Sequence, residues 1–206
     1  LMTDFDCRES GEYVLEEDRE QGSYRFVSLE ERRLSAGFVN PPDLEPADQL
    51  LEHVLDVSPY HLDFNPLDCE ALDALFAFDF VYSGNHDEVV AEALGLNSLI
   101  GGLVEMPGTR VINYEPVAML ALDESMRLQC RLSLETRTNA FQIRTGQFPE
   151  APISVYFTIR QYWGRQPYKN FVESYRHQRR VLQDLVDNHI ISSVLRPLAQ
   201  TIAAKQ

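Results

Sequence analysis

Cysteine is scarce and poorly spaced for chemistry. Cys7, Cys69 and Cys130 are an odd number set about sixty positions apart in a chain of 206 residues. They form neither a CxxC pair nor a Cys/His pattern of the zinc type, which excludes a disulfide framework and a Cys-based metal site. Each thiol is expected to act as a small hydrophobe in a reducing compartment. Long apolar runs are missing too: the longest, Val117 to Leu122, is six residues, against the ~18 needed to span a bilayer as a helix. The acidic start Leu-Met-Thr-Asp-Phe-Asp lacks a signal peptide's basic flank and apolar stretch, and Leu1 is not an ordinary initiator residue. A soluble, cytoplasmic protein with no membrane partner is expected.

Lysine is nearly absent, at two residues, Lys169 and Lys205, beside sixteen arginines. With 32 Asp plus Glu against 18 Lys plus Arg the net charge is -14. That excess argues against an indiscriminate nucleic-acid binder, whose affinity comes from neutralising phosphates, and against an anionic membrane surface. The charge is uneven. Up to Met106 there are 24 acidic residues and 5 Arg, a net of -19; beyond it 8 acidic and 13 basic residues give +5. Two such halves neutralise one another when packed together.

The apolar pattern predicts an α+β fold, a single domain of mainly antiparallel sheet covered by short helices and a C-terminal helical segment. Residues 1–22, charge-rich and without clear periodicity, read as an acidic N-terminal arm, leaving 23–206 as the domain. Tyr24 to Leu29 is a candidate strand. Leu50, Leu51, Val54 and Leu55 mark a helix over 46–56, followed by loops at Ser58-Pro59 and Asn65-Pro66. Phe76, Phe78, Phe80 and Tyr82 alternate with smaller residues in a strand over 74–83, as a core stripe. A helix over 87–95 ends at Gly95. Further strands are expected over 109–122, interrupted by Pro116 and hence at an edge or bulge; over 126–138, with Cys130 on its apolar side; and over 152–163. Phe141 to Thr145 would prolong or bend the middle strand. An amphipathic pattern over 168–204 predicts C-terminal helices with a break near Asp187-Asn188 or a kink at Pro197, and a homodimer through those helices is the expected partner.

Two constellations carry candidate chemistry. The tetrapeptide Gly84-Asn85-His86-Asp87, between a strand and a helix, resembles the metal-binding Gly-Asn-His-Asp/Glu element of calcineurin-like metallophosphoesterases. The resemblance implies a metal-dependent phosphoester hydrolase, with Asn85 a ligand and His86 beside the phosphoryl group. It extends over the tetrapeptide alone: no Asp-x-His or Gly-Asp-x-x-Asp lies upstream and no Gly-His-x-His downstream, whereas a two-metal site needs several ligands. A turn at Gly84, a helix cap at Asn85 and Glu88 at the third helical position explain the same residues more simply.

The second constellation is an arginine-bearing sheet face. Arg127, Arg131 and Arg137 share one strand phase, Arg160 lies on the polar phase of another, and Tyr156 and Tyr162 add aromatic surface. Such a face suits a small anionic ligand, an acidic protein or local nucleic-acid contact; an ordinary face of cross-strand ion pairs explains it as well. His53, His61, His177 and His189 have no ligand spacing, and no phosphate loop, dinucleotide fingerprint or nucleophile elbow is present. The function expected from the sequence is a non-catalytic protein-interaction or ligand-binding module needing no cofactor.

Overall fold

A computed structural model of the chain describes residues 2–63, 66–95, 98–164 and 169–205. The fold is α+β, with two four-stranded antiparallel sheets and helices. Contacts gather into two units, 1–69 with 167–172, and 70–166 with 173–206.

The first unit is a meander of β1 (Asp4–Cys7), β2 (Tyr13–Glu16), β3 (Tyr24–Glu30) and β4 (Arg33–Val39), followed by α1 (Leu44–His61). The stretch expected as a solvated arm therefore holds two strands. Both of its arginines are paired at short range, Arg8 with Glu12 at 2.8 Å and Arg19 bidentate on Glu16, and its Glu17 binds Arg25 of β3 at 2.5 Å. The Arg25 guanidinium, with help from its backbone N–H, holds the Glu17 carboxyl down at about 2. The predicted Tyr24–Leu29 strand is present. Its partner β4 was not anticipated, although Leu34, Ala36 and Phe38 alternate with Ser35, Gly37 and Val39. Gly37 is required there because a Cβ would sit 2.6 Å from the Phe26 ring. Tyr13, Leu29 and Leu34 are in register across β2, β3 and β4, as are Leu15, Val27 and Ala36, so one face of the sheet is apolar.

The second unit contains the anticipated sheet, in order β5-β8-β7-β6: β5 (Ala71–Tyr82), β6 (Val117–Ala121), β7 (Leu128–Glu135) and β8 (Ala151–Tyr162). Ile153, Val155, Phe157 and Ile159 of β8 are buried on one face beside Cys130 and Leu134 of β7. The Cys130 thiol is pushed up by that burial, as expected of a core residue, whereas Cys7 is exposed. The aromatic stripe of β5 shares this core face, with Phe76 and Phe78 meeting edge to face at 6.2 Å.

β6 begins only after Pro116, so the expected strand over 109–122 is shorter than its pattern. Pro116 still contributes its carbonyl to the Leu134 N–H, and β6 lies at the sheet edge. The segment expected to prolong the middle strand is instead a short helix, α4 (Ala140–Thr145). Asn139 and Gln142 form a capping box at its start and Gly146 closes it at φ +70°. The remaining helices are α2 (His86–Leu94), α3 (Ser98–Val104), α5 (Phe171–Leu185) and α6 (Arg196–Lys205). Between α5 and α6 the backbone stays helical but widens to π-type winding over Val186–Leu195. The expected break at Asp187-Asn188 is thus a change of winding; Tyr168, the expected helix start, and Asn65 of the second loop lie outside the described residues.

The apolar stripe of this C-terminal stretch is spent inside the unit. Leu182, Val186, Val194, Leu198 and Ile202 are all buried, with α6 packed on α2 and Lys205 bound to Glu92 at 2.9 Å. Gln178 donates to the Leu72 and Ile159 carbonyls, fixing α5 to β5 and β8. No helix among the described residues is long and apolar enough to cross a membrane.

Two outcomes follow from this packing. Leu198 is fully buried, so Leu198→Ala should cost about 2–5 kcal/mol in denaturant unfolding. Glu17 is depressed below its ordinary value of 4.5, so its contribution to stability is complete above that value and is lost as pH falls through about 2. Carboxyl NMR titration should find that low midpoint in the native chain and a return toward the ordinary range in Arg25→Ala.

Candidate functional site

The tetrapeptide Gly84-Asn85-His86-Asp87 stands where β5 turns into α2, and its three polar side chains are buried. Asn85 is the N-cap: its Oδ1 accepts from the Glu88 N–H at 3.3 Å, while its Nδ2 donates to the Val111 carbonyl at 2.8 Å. The anticipated cap is therefore present, with a second task added. The anticipated role of Gly84 is different. Its φ is not in the left-handed region; a side chain there would run into the Tyr82 ring, so close packing requires the glycine.

His86 uses both ring nitrogens. Nε2 lies 3.1 Å from the Tyr82 carbonyl, and Nδ1 lies 3.2 Å from the Arg137 N–H. A carbonyl can only accept and an amide N–H can only donate, which defines a neutral imidazole protonated on Nε2. Burial pushes its pKa below the ordinary 6.5, against the smaller pull of the Tyr82 carbonyl. Thr138 Oγ1 accepts from the His86 N–H at 2.9 Å. Asp87 is fully buried, and its Oδ1 accepts from the Tyr114 N–H at 2.7 Å and from Thr136 Oγ1 at 2.9 Å, while Oδ2 has no hydrogen-bond partner.

Three consecutive residues thus tie down two irregular segments, 111–114 and 136–138. A metal bound at His86 would have to displace one of its two hydrogen bonds. No group of three or more His, Cys, Asp or Glu side chains among the described residues could hold a metal ion. The space beside the turn, lined by Gly84, His86, Arg137, Thr138 and Phe148 among others, is about 10 Å³, room for roughly one water and no more.

No protein-family model, curated protein or solved structure matches this chain.

The arginine face is divided by its own carboxylates. Gln129, Arg131 and Ser133 of β7 are in register with Arg160, Thr158 and Tyr156 of β8, so the two strands are neighbours. Arg160, however, is bidentate on Asp73 of β5 at 2.7 and 2.5 Å and also donates to Tyr162 Oη at 3.4 Å. Those partners raise its pKa further. Arg137 lies beyond the end of β7, reaching Glu135 at 3.4 Å and Ser154 Oγ at 3.3 Å. Arg131 is exposed between Met119 and Thr158 in the register. Arg127 precedes β7, with its guanidinium over Gly164. The four cations do not converge on one point. Arg137 alone joins the two constellations, through its backbone to His86 and its side chain to the sheet face.

Two surfaces escaped the sequence reading. One is the edge strand β6, exposed along all five residues. Its signal was visible as the longest apolar run in the chain, but exposure is a property of strand order. The other is a groove of about 280 Å³ in the first unit, lined by Val27, Leu29, Leu34, Val54, Val57, Ser58, His61 and Leu62. Val54 was legible as part of a helical face; that β3 and β4 supply the opposite wall was not.

The His86 geometry has a measurable consequence. A histidine whose folded pKa lies below its unfolded value binds fewer protons when folded, so its contribution to stability is complete above pH 6.5 and falls as pH drops below it. His86→Gln preserves a donor and an acceptor without the titration. Urea midpoints between pH 5 and 8 should show the wild type losing stability relative to this variant on acidification. A relative gain would contradict the neutral tautomer.

Proposed function

We propose that the chain is a non-catalytic protein-interaction module that self-associates by pairing the β6 edge of one copy with the β6 edge of another. The observation that carries this reading is the state of that strand. Val117, Met119 and Leu120 are 55%, 59% and 63% exposed, on a strand with a hydrogen-bonded neighbour on one side only. An exposed apolar edge offers unpaired backbone donors and acceptors, a liability that proteins ordinarily blunt with charge, proline or a covering element.

Val-Ala-Met-Leu-Ala carries no charge, so the five residues of the strand bring no like charges together when two copies pair about a two-fold axis. Antiparallel pairing about Met119 is self-complementary and closed, producing one eight-stranded sheet from two chains. This places self-association away from the C-terminal helices, whose apolar stripe is already buried. A non-catalytic role is supported by the hydrogen bonds that occupy Asn85 and His86.

Sedimentation of the full chain should show a dimer with a dissociation constant in the micromolar range, as expected of an interface below ~1,200 Å². The double variant Val117→Lys/Met119→Lys, at exposed positions, should remain folded and monomeric. A wild type that stays monomeric at millimolar concentration, or a variant that dimerises as well as the wild type, overturns the reading.

A further inference from the structure

The apolar groove of the first unit supports a second binding surface, independent of the sheet edge. One wall is Val27, Leu29 and Leu34 of β3 and β4, and the other is Val54, Val57 and Ser58 of α1, with His61 and Leu62 at the end. Ser58 is the one hydroxyl in this lining, and it donates to the Val54 carbonyl of its own helix. The walls therefore offer hydrocarbon alone. The apolar face also continues past the groove. Tyr13 is in register with Leu29, and Phe5 with Leu15, which in turn faces Val27. Phe5 and Tyr13 stack at 6.2 Å and remain 68% and 48% exposed. Four strands at ~4.8 Å spacing make this trough roughly 14 Å across from β4 to β1. Two turns of an α-helix rise ~11 Å.

Charge decides what fits. The first unit holds 17 Asp plus Glu against five Arg and Lys169, a net of -11, while the second holds 15 against 12, a net of -3. Three of those five arginines, Arg8, Arg19 and Arg25, are already paired with Glu12, Glu16 and Glu17. α1, which forms one wall, carries Glu45, Asp48, Glu52 and Asp56 and no Lys or Arg. A second copy of this unit would bring -11 against -11, and an acidic or neutral partner would gain nothing from the surrounding field. We infer that this trough binds a basic amphipathic helix of a partner protein. Its aliphatic residues, at i, i+3 or i+4, and i+7, would enter the groove and lie over Phe5 and Tyr13, and its Lys and Arg residues would lie in the field of the unit's net -11.

The test uses the full chain and three labelled synthetic peptides of about 15 residues, long enough for a marginal helix. One is a Leu/Lys amphipathic helix, one has the same composition with leucines scattered around the helix, and one is amphipathic with Gln in place of Lys. Fluorescence anisotropy should find the Leu/Lys helix binding at least about tenfold more tightly than either control, and more weakly as salt rises. Val57→Asp in the groove should lose about tenfold or more. The exposed pair Glu45→Lys/Asp56→Lys should lose a similar factor with an unchanged circular dichroism spectrum, and it carries the test alone if Val57→Asp unfolds the unit. Equal binding of the scattered peptide, equal binding of the Gln peptide, or undiminished binding by the Glu45→Lys/Asp56→Lys variant overturns the inference.

Discussion

Strand β8 has a hydrogen-bonded neighbour on each side along most of its twelve residues, and much of the second unit is positioned by it. Its inward residues are apolar, and removing them from water requires a cover. Ile153, Val155 and Ile159 have no exposed surface at all. Gln178 of α5 reaches the Ile159 carbonyl, and the buried stripe running from α5 to α6 packs toward α2. Covering β8 goes with burial of the apolar stripe that runs from α5 to α6. β6, at the far edge of the sheet from β5, is exposed on both faces.

The turn between β5 and α2 illustrates how a sequence that resembles a metal element can serve the backbone instead. A buried polar side chain is costly until its hydrogen bonds are made. Asn85, His86 and Asp87 make them to amide and carbonyl groups of 111–114 and 136–138, segments that have no ladder partner of their own. His86 is neutral because it is buried between one acceptor and one donor. Asp87 Oδ2 is the exception, a buried carboxylate oxygen with no hydrogen-bond partner. Arg137 completes the arrangement by touching the turn with its backbone and the sheet with its guanidinium.

Net charge acquires a location once the units are drawn. Of the -14, -11 falls on the first unit, whose buried apolar residues among those described are Val14 and Phe171, while the second unit carries -3 and holds the rest of the buried apolar core. The carboxylates of 70–106 are matched to the basic half at specific points, Asp73 to Arg160 and Glu92 to Lys205. Within the second unit the two halves defined by composition thus neutralise one another at these points. The first keeps its excess around an apolar face that α1 covers only in part.

Periodicity alone determined the α+β class, the four strands of the second sheet, helices over 46–56 and 87–95, the cap at Asn85 and the placement of Cys130 in the core, whereas α1 continues to His61 through Ser58-Pro59, where a loop was expected. Each depends on spacing of two, or of three and four, and on short-range hydrogen bonding, which neighbours in sequence supply. Other features needed contacts between distant residues. Strands β1 and β2 are short and charged, and they are visible only beside β3. Residues 140–145 carry apolar side chains compatible with a strand until the Asn139 box and Gly146 close them into a helical turn. The division of the arginine face by Asp73 depends on β5 lying next to β8, 87 positions apart for the paired side chains. The exposure of Val117 to Ala121 depends on strand order, and the groove depends on which face of the first sheet α1 meets. Local chemistry selects the elements; the neighbours each one acquires on folding decide which of its side chains are consumed and which remain free to bind.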